Sequence, residues 1–106
     1  MCVGGREKMN IQKEKNDTAL ILTVEGHLDA LNARELEAEL RSSIEGVTLL
    51  TFDLKDLEYI ASGGIRVLVS AQKVMLRQGS MVIRNVQPQI LDLLDVTGLT
   101  DVFTIE

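Results

Sequence analysis

The chain has little with which to stack, ligate or cross-link. Tryptophan is absent, and one tyrosine and two phenylalanines are its only aromatic residues, so a surface that binds nucleic acid by stacking bases is not expected. Charge points the same way. Eleven basic residues stand against sixteen acidic ones, a net charge of −5, where binding a phosphate backbone takes a clustered basic face. The single cysteine, Cys2, excludes an internal disulfide, and with the single histidine, His27, it cannot make up the ligand set of a structural zinc. A lone thiol fits a reducing cytoplasm. No run approaches the roughly 18 apolar residues of a membrane span, and the N-terminus lacks the apolar core of a signal peptide. Neither a cofactor nor a metal site is expected, and the expected partner is another protein.

What is there is aliphatic. At 106 residues and 45% hydrophobic content, the chain is long enough for one core and too short for two. Met1 to Lys8, MCVGGREK, has no periodicity and reads as a disordered tail, leaving one domain over residues 9–106. Ile11 to Lys15 alternates and is followed by Asn16-Asp17, suited to a tight turn, and by the apolar Ala19 to Val24: an opening hairpin. Asn32 with Glu35 forms a capping-box pattern ahead of the stripe Ala33, Leu36, Leu40 and Ile44, which predicts a helix over Ala33 to Glu45 stopped by Gly46. Val47, Leu49, Leu50, Phe52 and Leu54 follow as a near-continuous apolar run, the pattern of a central strand covered on both faces. A second helix is predicted from Gly64 to Gln78, ending at Gly79, then a short strand at Met81-Val82-Ile83. Pro88 opens a third helix carrying Ile90, Leu91, Leu93 and Leu94 and closed by Gly98, and Asp101 to Ile105 is the last strand. The expected fold is α/β: a mixed, mainly parallel sheet built from a β-hairpin followed by successive right-handed βα units.

Function is best placed at Asp53 to Gln72, DLKDLEYIASGGIRVLVSAQ, where a buried-looking strand runs through Ser62, Gly63 and Gly64 into an apolar helix. Unpaired N–H groups and the peptide dipoles make a helix start favourable for anions, and glycines allow positive φ and close approach. The plain alternative is a tight strand-to-helix turn. In the helix itself, Ile65, Leu68, Val69, Met75 and Leu76 form a core stripe, while Val67, Ala71 and Val74 form a second row that is either buried too or meets a partner. Arg66, Lys73 and Arg77 share a side, either as a solvated face or to steer an acidic partner.

An enzyme is not expected. Ala61-Ser62-Gly63-Gly64 is not a nucleophile elbow, His27 is the only imidazole and falls in the turn before the first helix, and no Gly-rich lysine loop for nucleotide hydrolysis is present. Asp92 and Asp95 share a helix face and read as solvated. Small-ligand sensing at the Ser62 helix start, for a phosphate, nucleotide or lipid, stays open, as does a scaffold role in a signalling or transport complex.

The Gly-x-Leu-Asp turn at Gly26 to Asp29, the strand Leu57-Glu58-Tyr59-Ile60, the Ser-Gly-Gly turn and Val96-Thr97-Gly98-Leu99, in that order and spacing from Met9 to Ile105, resemble the STAS domains, in particular the free-standing bacterial anti-sigma factor antagonists. The resemblance implies a cytoplasmic partner switch in transcription and stress response. Such a protein binds an anti-sigma factor that is also a serine kinase of the histidine-kinase-like ATPase type, and so releases a sigma factor. Phosphorylation of a serine in the turn breaks the complex, and a metal-dependent serine phosphatase restores it. The resemblance places the partner-binding surface at Asp29 and at Ala61, Ser62, Gly63, Gly64, Ile65, Arg66 and Val67. It also exposes a departure: where relatives commonly read Asp-Ser-Ser-Gly with the second serine as acceptor, this chain reads Ala61, Ser62, Gly63 and Gly64. Gly63 occupies the acceptor position, leaving Ser62 as the candidate phosphoacceptor or the protein without a phosphoserine switch. Asp29 either contacts the partner or only starts the first helix.

Overall fold

Every sheet pairing but one runs through one long strand or its immediate neighbour. In the structure, a computed structural model that describes residues 9–106, strand β1 (Met9–Asn16) pairs antiparallel with the ten-residue β2 (Ala19–Leu28) along its whole length. The expected tail over residues 1–8 lies outside the described residues. The hairpin turn sits one residue later than the sequence suggested: Asn16 still pairs with Ala19, and Asp17 takes φ 62°, a conformation that Asp tolerates better than most residues. Helix α1 (Ala33–Ser43) follows, then β3 (Leu49–Asp53), β4 (Leu57–Ile60), α2 (Ser62–Gln78), β5 (Ser80–Arg84), α3 (Pro88–Val96), a 3₁₀ turn (Leu99–Asp101) and β6 (Thr104–Ile105). The sheet order is β1-β2-β3-β5-β6, parallel apart from the hairpin, with β4 joined in parallel to the far end of β2. The mixed, mainly parallel α/β architecture expected from the sequence is the one found.

Register explains the core. Leu20 and Leu22 lie opposite Leu50 and Phe52, which lie opposite Met81 and Ile83, so three strands present one apolar face. These six residues are buried together with Leu36 and Leu40 of α1 and Leu68, Ala71 and Met75 of α2. The other face of β3 is covered less completely than its apolar run implied: Thr51 is buried, but Leu49 is 41% exposed.

Four local expectations are corrected. The capping box does not form, because the Asn32 side chain turns back toward the preceding loop instead of capping α1. Helix α2 starts at Ser62, two residues early, so the glycines belong to its first turn and are not a turn ahead of it. Its core stripe is Gly64, Val67, Leu68, Ala71 and Met75, with Ile65 and Val69 half-buried, whereas Leu76 is 72% exposed. The expected second row is therefore split: Val67 and Ala71 face inward and Val74 stays partly exposed. The last strand is only Thr104–Ile105, since Asp101 falls in the 3₁₀ turn that follows Gly98.

Because Phe52 lies at the centre of this face, Phe52→Ala is expected to lower the unfolding free energy by about 3–5 kcal/mol. Leu49→Ala, on the open face of the same strand, is expected to cost about 1 kcal/mol or less. Urea titrations of both variants check the contrast.

Candidate functional site

Gly26 is where the site begins. It takes φ 92° inside β2, a region that side chains other than glycine rarely enter, and the register of the strand slips between Gly26 and His27. Over Ala19–Thr23 β2 pairs with β3, and over Gly26–Leu28 it pairs with β4; the slip lies within this second pairing. The strand that leads into the Ser62 helix is thus a separate four-residue strand, and not the buried central one: Glu58 and Tyr59 are exposed while Leu57 and Ile60 are buried.

This switch brings two chain reversals together. The Ala61 N–H donates to the Leu28 carbonyl at 2.8 Å, tying the end of β4 to the end of β2. Immediately beyond Leu28, one carboxylate oxygen of Asp29 accepts from the N–H groups of Leu31 and Asn32, both at 2.9 Å. The Asn32 amide returns the contact, accepting from Asp29 N–H at 2.7 Å and donating to the His27 carbonyl at 2.7 Å. Asp29 thereby caps the turn before α1, the role that the sequence pattern assigned to Asn32. The loop it braces holds Leu31 outward at 80% exposure.

Across from this loop, Ala61 is extended (φ −98°, ψ 173°) and stands at the N-cap of α2 without a side-chain cap. Its carbonyl accepts from the N–H groups of Gly64 and Ile65. Among the described residues, the N–H groups of Ser62 and Gly63 find no acceptor, and the exposed Ser62 hydroxyl makes no hydrogen bond. They are the free donors of a helix start. The glycines serve close approach, not positive φ. A Cβ on Gly63 would stand 3.0 Å from the Ala30 Cα, and one on Gly64 would stand 2.6 Å from Leu28 Cγ and 2.9 Å from Ile60 Cγ1. The Asp29 turn and the α2 start therefore abut.

Of the residues singled out from sequence, the structure brings Asp29, Ala61, Ser62 and Gly63 to one edge, with Ile65 half-buried and Arg66 exposed behind them. Gly64 and Val67 are buried, so they shape the edge from beneath. His27 lies in β2, not in a turn; its ring centroid is 5.7 Å from that of Tyr59, its Nε2 is 3.6 Å from Glu58 Oε1, and no hydrogen bond joins it to Ser62 among the described residues. The residue that sequence reasoning missed is Leu31. It stands off the Ala33-Leu36-Leu40 stripe of α1, and that mismatch of period was the available sign that it faces solvent.

Comparison with known proteins assigns this geometry to a family. Residues 10–106 match the model of the STAS domain. The chain is 30% identical over 98 residues to the anti-sigma-B factor antagonist of Bacillus subtilis, covering 92% of this chain and 90% of that one. It is 31% identical over 99 residues to a protein of Bordetella bronchiseptica provisionally named an anti-sigma factor antagonist, covering 92% and 85%. In fold it is similar to the crystal structure of an anti-sigma factor antagonist from Mycobacterium paratuberculosis, with a TM-score of 0.84 at 20% identity over 92% and 85% of the two chains.

Close packing at the junction sets an order of tolerance. Gly64→Ala is expected to destabilise the fold by about 1–3 kcal/mol, because Leu28 and Ile60 must both yield. Gly63→Ser is expected to disturb chiefly the Asp29–Asn32 amides, and Ser62→Ala to change stability by no more than about 0.5 kcal/mol. Thermal denaturation and amide chemical shifts of the three variants check the ranking; a neutral Gly64→Ala would show that the junction is slack.

Proposed function

This chain belongs to the STAS domain family, and we propose that it is an anti-sigma factor antagonist: a binding protein, not an enzyme, that captures an anti-sigma factor in the cytoplasm and so releases a sigma factor for transcription. The observation that carries this reading is the abutment of Gly63 on Ala30, which makes a single edge of the Asp29–Leu31 turn and the Ser62 helix start. Exposed Leu31 supplies apolar contact there, and the unpaired N–H groups of Ser62 and Gly63 supply donors. The names of the curated relatives support the same role.

The partner in this reading is an anti-sigma factor with a histidine-kinase-like ATPase fold, and regulation is where this chain departs from its relatives. With Gly63 pressed against Ala30, no hydroxyl stands at the usual acceptor position, and the Ser62 hydroxyl is the one available in the first turn of α2. A phosphate on it would add about −1.5 to −2 charges beside the partner, at a desolvation and repulsion cost. A metal-dependent serine phosphatase would reverse the modification.

Affinity purification from the native host, with mass spectrometry of the partners and of the peptide containing Ser62, tests both parts. A kinase-like anti-sigma factor is the expected prey; its absence counts against the reading. Ser62→Asp is expected to weaken that association at least about tenfold and Ser62→Ala to preserve it. If Ser62→Asp binds like wild type, control lies elsewhere than at this hydroxyl.

A further inference from the structure

A groove between α1 and α2 opens at the Ser62 edge and continues along both helices. Its first stretch, about 300 Å³, runs from Ala30 and Gly63 past Arg34 and Arg66 to Ser70; its second, about 170 Å³, carries on to Ile44 and Val74, and the two share Glu37, Val67 and Ser70. The floor is aliphatic: Val67, Leu40 and Ala71 are buried, and Val74 is partly exposed. The walls are cationic. Helix α2 lines the groove with Arg66 and carries no acidic residue in 17 residues, although the chain as a whole has a charge of −5; its Lys73 and Arg77 line a separate depression. On the α1 side stand Arg34 and Arg41, and the one carboxylate in the groove, Glu37, is engaged by Arg41 at 3.3 Å. Arg34 and Arg66 line the same stretch from opposite walls, and neither pairs with a carboxylate among the described residues.

Two unpaired guanidinium groups on opposite walls of an apolar trough repel each other weakly while the trough is empty and attract any carboxylate that enters. We propose that this groove seats an acidic amphipathic helix of the partner protein, with aliphatic residues at i, i+3, i+4 and i+7 against Val67, Ile44 and Val74, and with Asp or Glu residues bridging Arg34 and Arg66. A helix fits because the trough is itself made by two helices, whose side-chain ridges leave a groove that a third ridge fills. From Arg66 to Val74 the trough spans about 12 Å, or roughly two turns of a bound helix. The partner's identity rests on the reading given above; its chemistry does not.

The test is to titrate the isotope-labelled full chain with a synthetic amphipathic helix bearing leucines on one face and glutamates on its flanks, alongside a twin in which lysines replace the glutamates. The expected result is saturable amide shifts at Val67, Ser70 and Ala71 with the acidic peptide, and binding of the lysine twin weaker by about tenfold or more. Arg34→Glu and Arg66→Glu, both at exposed helix positions, should remove or reverse the preference, and Lys55→Glu, outside the groove, should leave it. Equal binding of the two peptides, or shifts confined to other surfaces, would overturn the proposal. The same variants are then used as bait for the anti-sigma factor. If the factor co-purifies equally with wild type and with the Arg34→Glu/Arg66→Glu double variant, the groove is not its seat, although the antagonist reading stands. If no such factor is recovered while the acidic peptide binds in the groove, the groove stands and the antagonist reading falls. Concentration-dependent dimerisation abolished by Arg66→Glu, with no peptide binding, would assign the groove to a second copy of the chain and overturn the proposal.

Discussion

The hydrogen bond from Ala61 N–H to the Leu28 carbonyl, 2.8 Å long, is the contact on which the rest of the site depends. It exists because β2 changes partner midway. On the side away from β1, it pairs with β3 over Ala19–Thr23 and with β4 over Gly26–Leu28, and the ladder with β4 itself slips between Gly26 and His27. Once Leu28 and Ala61 are joined, the chains leaving them diverge only after passing within van der Waals contact at Ala30 and Gly63. An edge made of segments more than thirty residues apart in sequence thus follows from the change of strand partner and one ladder bond, with the large buried face of β2 and β3 beneath it.

Division of labour between core and edge follows from the same geometry. Residues that the family resemblance singles out as partner-binding include two, Gly64 and Val67, that are buried. Their contribution is shape: Gly64 lets α2 start against Leu28 and Ile60, and Val67 forms the floor between α1 and α2. What faces outward is a sparse set of different chemistries: the Leu31 side chain, the Ser62 hydroxyl, two free backbone donors, and the arginines of the flanking groove. A surface of this kind suits a protein partner, since single apolar anchors surrounded by polar and charged positions are how such interfaces combine affinity with selectivity.

Much of the fold was legible in the sequence because its elements carry unambiguous periods. The α1 stripe of Ala33, Leu36 and Leu40, Pro88 at the start of α3 and the apolar β5 segment all fell where pattern and turn chemistry put them. Errors arose where two local rules compete. Asn32 and Asp29 can each cap the same turn, and only the proximity of the His27 carbonyl decides that Asn32 reaches backward. The glycines of Ser62-Gly63-Gly64 read as a turn ahead of α2, yet they lie in its first turn, where their lack of a Cβ lets the helix start close against Ala30 and Leu28. Leu76 looked like core because it is aliphatic and helical, yet only the orientation of α2 on the sheet determines that it faces out. The Ser-Gly-Gly and Gly-x-Leu-Asp segments mark the candidate site in the sequence, and the family resemblance puts both turns at one edge of the sheet; their direct contact was not legible, since it depends on the change of pairing partner along β2, which no local pattern announces.

The most direct measurement is hydrogen exchange of the chain, free and in the presence of the anti-sigma factor proposed as its partner. In the free protein the amides of Ser62 and Gly63 lack acceptors among the described residues, and they should exchange fast. In the complex, the account predicts slowing at Leu31, Ser62 and Gly63, together with the α1–α2 groove. Slowing confined to α3, the 3₁₀ turn and β6, with Ser62 and Gly63 exchanging as before, would contradict it.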